Sequence, residues 1–205
     1  MMSRVFRLLT LMTIVSLWLL LLGCASSPLT RFYTLSPISG SEKVDNSGSE
    51  TCVSIGIGPV KIPEYLDQAG VVTDLNPNEY LVGEFSKWSE PLEMNVSRIL
   101  AEDLTSLLCT KIVSTFPWVG SLSFDYRVIV EVIRMDGVLG ENARLDASWM
   151  IYDGADKRKL LLAKMTHYKE ALGGKGYESY VAAQSRNVAA LSRDIAKAMK
   201  SLERQ

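Results

Sequence analysis

Histidine occurs once in the 205 residues and cysteine three times. A metal centre built from regularly spaced His and Cys ligands has too few donors here, so none is expected. Neither charge dominates, with 22 Lys and Arg against 23 Asp and Glu. Without surplus cations the chain has little to displace phosphate counterions, which argues against nucleic acid as a partner. There is no Gly-x-Ser-x-Gly elbow. The Gly173-Gly174-Lys175-Gly176 run lacks the spacing and the Ser/Thr of a phosphate loop. No internal repeat is evident. Beyond residue 22 no stretch reaches the roughly 18 apolar residues of a spanning helix. Disorder is excluded by 47% hydrophobic and 8% aromatic residues. The length suffices for one well-buried core.

The N-terminus has a composition of its own. Arg4 and Arg7 precede an uncharged run from Leu8 to Leu22, which is too short to span a bilayer and reads as the h-region of a signal peptide. It ends in Leu21-Leu22-Gly23-Cys24. This resembles a bacterial lipobox. The resemblance implies cleavage between Gly23 and Cys24, a diacylglycerol thioether on the Cys24 sulfur and an N-acyl chain on the new amine, with no other cofactor. A thiol is needed because the sulfur takes the lipid, and a small residue before it lets the peptidase reach the bond. Ala25 follows, not the aspartate that favours inner-membrane retention. An outer-membrane anchor facing the periplasm of a Gram-negative cell is therefore expected. Several acyl chains hold stably, at about 0.8 kcal/mol per buried CH₂. Removing residues 1–23 leaves a mildly acidic chain with about 45% apolar residues, typical of a soluble domain.

Cys52 and Cys109 then remain. In an oxidising periplasm an even pair fits a disulfide. It would close a loop of about 58 residues, worth roughly 4 kcal/mol in the chain-entropy model. Two buried free thiols are the alternative, because spacing carries no geometry.

The body begins with a short strand, Arg31-Phe32-Tyr33-Thr34-Leu35. Residues 36–51 are rich in Ser, Gly, Asn and charge and read as a flexible tether, with a reach of about 20–24 Å. The expected organisation is a signal peptide over 1–23, a lipidated segment with strand and tether over 24–52, and one periplasmic domain over 53–205. Val53, Ile55 and Ile57 alternate with small residues as in a half-buried strand. Gly58-Pro59 marks a bulge or bend before Val60 and Ile62. Two strands flank the Asn76-Pro77-Asn78 turn. Pro91 opens a helix whose stripe is Val96, Ile99, Leu100, Leu104, Leu107 and Leu108. Asn95 and Arg98 are placed on its outer face, and the Glu102-Asp103 pair reads as solvated surface. Phe116-Pro117 breaks the segment after it. Three meander strands follow, around 124–133, 145–152 and 160–170. Last comes a long helix with Val181, Gln184, Val188, Leu191, Ile195 and Ala198 at 4-3 spacing. That stripe packs on a sheet or seats a coiled-coil partner. The expected fold is α+β: two layers, a largely antiparallel sheet and two helices packed on one face.

A catalytic site is not found. His167 lies near a strand end and reads as a structural or exposed residue, and no enzyme activity is expected.

Several segments together resemble the ABC-type transport auxiliary lipoproteins, the PqiC/YmbA family. They are Arg31-Phe32-Tyr33-Thr34-Leu35, then Ile57-Gly58-Pro59-Val60-Lys61-Ile62-Pro63-Glu64-Tyr65-Leu66, then Gly70-Val71-Val72-Thr73, and Lys87-Trp88-Ser89-Glu90-Pro91-Leu92. Phe32 stands where a second tyrosine is frequent. The resemblance implies a non-enzymatic subunit working beside MCE-domain proteins that move lipids or other hydrophobic molecules between membranes. It implies an MCE-domain partner and membrane attachment; a homo-oligomer around the conduit is one way the body could present its partner surface. Pro63, Tyr65, Leu66, Trp88 and Pro91 are candidate partner contacts, with core packing as the alternative. A direct lipid carrier with an apolar groove between sheet and helices is the rival function, and an envelope hydrolase using His167 is a third.

Overall fold

The computed structural model describes residues 7, 11–13, 28–38, 52–118, 122–156 and 158–202. Gly23, Cys24 and most of the expected tether lie outside them. A five-stranded sheet has the order β5-β2-β6-β7-β8, built from β2 (Val53–Lys61), β5 (Thr110–Thr115), β6 (Tyr126–Asp136), β7 (Asn142–Asp153) and β8 (Leu160–Ala171). A smaller sheet, β1-β4-β3, joins β1 (Arg31–Tyr33), β4 (Glu79–Trp88) and β3 (Gly70–Asn76). Among the described residues of the body two long helices, α1 (Leu92–Leu107) and α2 (Tyr177–Leu202), pack against each other. α1 lies over β2 and β5, and α2 over β7 and β8. The fold is α+β with both helices on one face of the large sheet. β6, β7 and β8 form the expected antiparallel meander, and β3–β4 the hairpin. The β1–β4, β2–β5 and β2–β6 ladders run parallel.

Alternation sets the inner layer. Ile57, Val128 and Ile151 lie in one register row, and Val130 faces Trp149. All are buried, as are Ile55, Leu145 and Ala147. Gly58 has φ +108°, a region L side chains rarely enter, and β2 shifts register against β6 just beyond Ile57. Glycine is what permits that bulge. A second irregularity between Val132 and Arg134 turns Met135 and Asp136 inward while Ile133 stays exposed.

The 4-3 stripe of α2 is buried within the chain, including Gln184, Val188, Leu191 and Ile195. The stripe therefore packs on the sheet and is not left open for a coiled-coil partner. Two expectations for α1 are corrected. Asn95 and Asp103 are both fully buried, not solvated. Each faces a backbone segment that sequence periodicity does not show. β5 was also not anticipated: Thr110–Thr115 is a mostly half-exposed edge strand with little alternation, and it forms only through its parallel ladder with β2.

Candidate functional site: the N-terminal strand and its clasp

Among the described residues β1 is the first element after the lipobox-like sequence. It pairs in parallel with the end of β4, Arg31 opposite Ser86 and Tyr33 opposite Trp88. The chain then passes over the helices and is held there by Asn95, Ser185 and Asp103, with Ser192 bracing Asp103. The Leu35 N–H donates to Asn95 Oδ1 at 3.2 Å, and Asn95 Nδ2 donates to Thr34 Oγ1 at 3.2 Å. The Ser36 N–H donates to Ser185 Oγ at 3.1 Å. The Ile38 N–H donates to Asp103 Oδ1 at 2.8 Å, and Ser192 Oγ donates to Asp103 Oδ2 at 2.7 Å. Arg98 adds a bond to Thr34 Oγ1 at 2.9 Å and is itself paired with Glu90 and Glu102. Leu35 is buried in the core between these bonds.

The spacing explains the clasp. Asn95 and Asp103 lie about two turns apart on α1, as do Ser185 and Ser192 on α2, so each pair shares a face. An extended segment crossing both helices offers backbone N–H groups that need acceptors. Polar residues set at two-turn spacing inside apolar stripes were the available sequence signal. Burial pushes the Asp103 carboxyl above its ordinary value, opposed by the Ile38 and Ser192 bonds and by Arg193.

A second polar cluster fastens the small sheet to the large one. Arg144 of β7 pairs with Asp74 of β3, and its Nε donates to Asp136 Oδ1 at 3.0 Å. Arg134 lies 3.3 Å from the other Asp136 oxygen. Gln184 Nε2 donates to the carbonyls of Asp136 and Arg144, and the Tyr180 hydroxyl to the carbonyl of Val72. Burial and then the Asp74 charge push the Asp136 carboxyl up, while Arg144 and Arg134 pull it back. Burial also pushes the half-buried Tyr65 phenol up. The cluster joins elements and brings no nucleophile to a base.

The candidate partner contacts separate. Leu66 and Trp88 are buried core residues. They anchor the turn and the end of β4 from inside, so packing is their role. Pro63 is half-buried. Tyr65 is half-buried and stacks on Tyr80, with ring centroids 4.5 Å apart. Pro91 is exposed at the N-terminus of α1. Cys52 and Cys109 are bonded, with Cα atoms 4.6 Å apart. His167 is exposed on β8 and its Nδ1 lies 2.9 Å from Asp146 Oδ1. Among the described residues no group of three or more His, Cys, Asp or Glu side chains is placed to hold a metal ion. The space between sheet and helices is filled by Trp149, Tyr180, Leu104 and their neighbours. An open cleft of about 450 Å³ lies between α1 and β5, lined by Met94, Arg98, Val113 and Phe116 among others.

A family model described as the ABC-type transport auxiliary lipoprotein component matches residues 33–196, from β1 through most of α2. The chain belongs to that family. It is 28% identical over 109 residues to the intermembrane transport lipoprotein PqiC of Escherichia coli K12, and equally to that of Shigella flexneri. The match covers 52% of this chain and 56% of each relative, so it spans little more than half of their length. A crystal structure of an uncharacterized protein superposes with TM-score 0.68 at 20% identity, over 84% of this chain and 99% of that one. A Xanthomonas campestris protein superposes with TM-score 0.60 at 13% identity, over 82% and 90%. These two likenesses show the fold alone. The family match includes the whole clasp, Thr34 to Ser192, and the polar cluster between the sheets.

Proposed function

We propose that this chain is a non-enzymatic, outer-membrane-anchored subunit that docks an MCE-type transport assembly carrying lipids or other hydrophobic molecules between membranes. The family match over residues 33–196 is the observation that carries the reading. The lipobox-like Gly23-Cys24 supports a diacylglycerol and N-acyl anchor facing the periplasm. The clasp supports a structural part for the anchor strand, because Asn95, Asp103, Ser185 and Ser192 spend buried polar groups on holding it. The filled interlayer favours docking over lipid carriage within this chain. Pro63, Tyr65 and Pro91 are the remaining candidate contacts for an MCE-domain partner, and a homo-oligomer around the conduit fits the same role.

Crosslinking in intact cells followed by purification in mild detergent tests the reading. An MCE-domain protein is expected to co-purify with the lipidated chain. Repeated recovery of membrane-bound chain with no such partner refutes it. Phospholipid co-purifying with a Cys24→Ser form would instead favour a carrier.

A further inference from the structure

The end of the molecule from which β1 enters carries an apolar tip. Leu75, Tyr80, Leu81 and Val82, at the far end of the β3–β4 hairpin, are between 44% and 57% exposed. Leu29, two residues before β1, is more open still at 84%. Successive strand residues point to opposite faces, so Leu81 and its neighbours Tyr80 and Val82 make the tip apolar on both sides. The hairpin is held to the large sheet at Asp74, whose N–H donates to Gly137 O at 2.8 Å. Everything beyond Asp74, from Leu75 to Val82, is exposed.

Strand direction says what that tip faces. β1 runs parallel to β4 with Arg31 opposite Ser86. Moving upstream from Arg31 is therefore moving along β4 toward Glu79 and the hairpin turn. From Ser86 back to Glu79, and from Arg31 back to Cys24, the chain counts the same number of residues. An extended chain covers about 3.3 Å per residue in either case. Between Cys24 and Pro28, the first described residue of this stretch, it reaches at most about 14 Å. An acyl anchor on Cys24 would thus hold the hairpin end, not the α1 end, against the bilayer. Tyr and aliphatic side chains are suited to that boundary. Glu79 and Glu84 flank the tip, and their charges limit it to shallow contact.

We propose that the β3–β4 hairpin tip, with Leu29, rests in the interfacial layer of the membrane that holds the Cys24 anchor. The proposal rests on the anchor reading above and adds to it an orientation and a second membrane contact. The occupant is a lipid surface, because the anchor brings it within reach and few apolar contacts suffice once the chain is tethered.

The test uses the full lipidated chain in phosphatidylethanolamine–phosphatidylglycerol vesicles. A spin-label amino acid replaces Leu81 in one sample and Met165, exposed on β8, in another. Flotation with the vesicles reports the anchor, and relaxation by oxygen against a water-soluble nickel chelate reports the surroundings of the label. The expected result is flotation of both samples and an oxygen-to-nickel ratio several-fold higher at position 81 than at 165. Flotation with water-like ratios at both positions overturns the proposal and leaves the anchor standing. A label at 81 shielded from both reagents also overturns it, since protein then covers the tip. Loss of flotation overturns the anchor reading and the proposal together. A Leu81→Asp variant, altered only at a half-exposed site, is expected to keep its Tm and lose the lipid signal from a label placed at Leu75.

Discussion

Asp103 is the sharpest place to perturb the clasp. Its carboxylate is buried and accepts from the Ile38 N–H at 2.8 Å and from Ser192 Oγ at 2.7 Å. Hydrogen bonds to a charged group contribute about 1.5–3 kcal/mol each. Asp103→Ala removes both. Ser192 then turns its single hydroxyl proton wholly to Val188 O at 3.0 Å, and losing the buried charge offsets part of the cost. The net expectation is a loss of about 2–3 kcal/mol, or about 5–10 °C in Tm for a domain of this size. Asp103→Asn keeps an acceptor for Ile38 and removes the desolvated charge, so it should fall within about 1 kcal/mol of the parent. The pH dependence has a fixed sign. Burial raises the folded-state value of Asp103 above the ordinary 3.8, so in that window the native state binds more protons than the unfolded state. The contribution of Asp103 to stability is therefore full below 3.8 and is lost as pH rises through the folded value. Relative to the Asn variant, the parent should weaken over that range and then level off. Denaturant unfolding of the mature domain followed by tryptophan fluorescence gives both numbers, and amide exchange at Ile38 should quicken in the Ala variant alone. An Ala variant within about 0.5 kcal/mol of the parent, or an Asn variant as costly as Ala, would refute the clasp.

Arg144→Met leaves Asp136, whose side chain is 1% exposed, buried without its main partner; a loss of about 3–5 kcal/mol is expected in the same assay, and adding Asp136→Asn should recover part of it. Thiol labelling of unreduced, unfolded mature protein should find no reactive cysteine at positions 52 and 109, and the double Cys→Ala variant should lose up to about 4 kcal/mol; two reactive thiols would exclude the bond. Trp88→Ala opens the core at the end of β4 and should cost about 3–5 kcal/mol; weakened partner binding at unchanged Tm would instead make Trp88 a surface anchor.

Legibility followed locality. β2, β6 and β7 announce themselves by alternation because one face of each is buried, and α1 and α2 by stripes that stay in phase over several turns. The Cys52–Cys109 pairing was visible only as an even count. Asn95 and Asp103 read as outward because a polar residue on a helix is outward by default, and their partners lie about 60 residues upstream in a segment without a pattern of its own. β5 was missed because a parallel edge strand needs no alternation when neither face is fully covered. Trp88 and Leu66 belong to family-like runs rich in Pro, Tyr and Trp, and composition does not tell an aromatic that packs inward from one that faces a partner. The parallel pairing of β1 with β4 joins residues more than 50 apart, and nothing in either strand names the other.

That pairing changes where the tether lies. Residues 36–51 read as a spacer between membrane and domain. With β1 in the small sheet and Thr34 to Ile38 clasped by both helices, the body already begins at Arg31. Residues 39–51 then join two parts of one body, closed on the far side by β2 and Cys52. The spacer available to an anchor at Cys24 shrinks to residues 25–30, a contour of about 20 Å even when fully extended. Under the proposed Cys24 anchor, a load applied there would meet the short β1–β4 ladder and the clasp in series before it reached the rest of the body. Weakening Asp103 should therefore loosen the hold of the domain on β1 as well as lower its stability, and under the proposed anchor this would tie the buried carboxylate to the distance the domain keeps from the membrane.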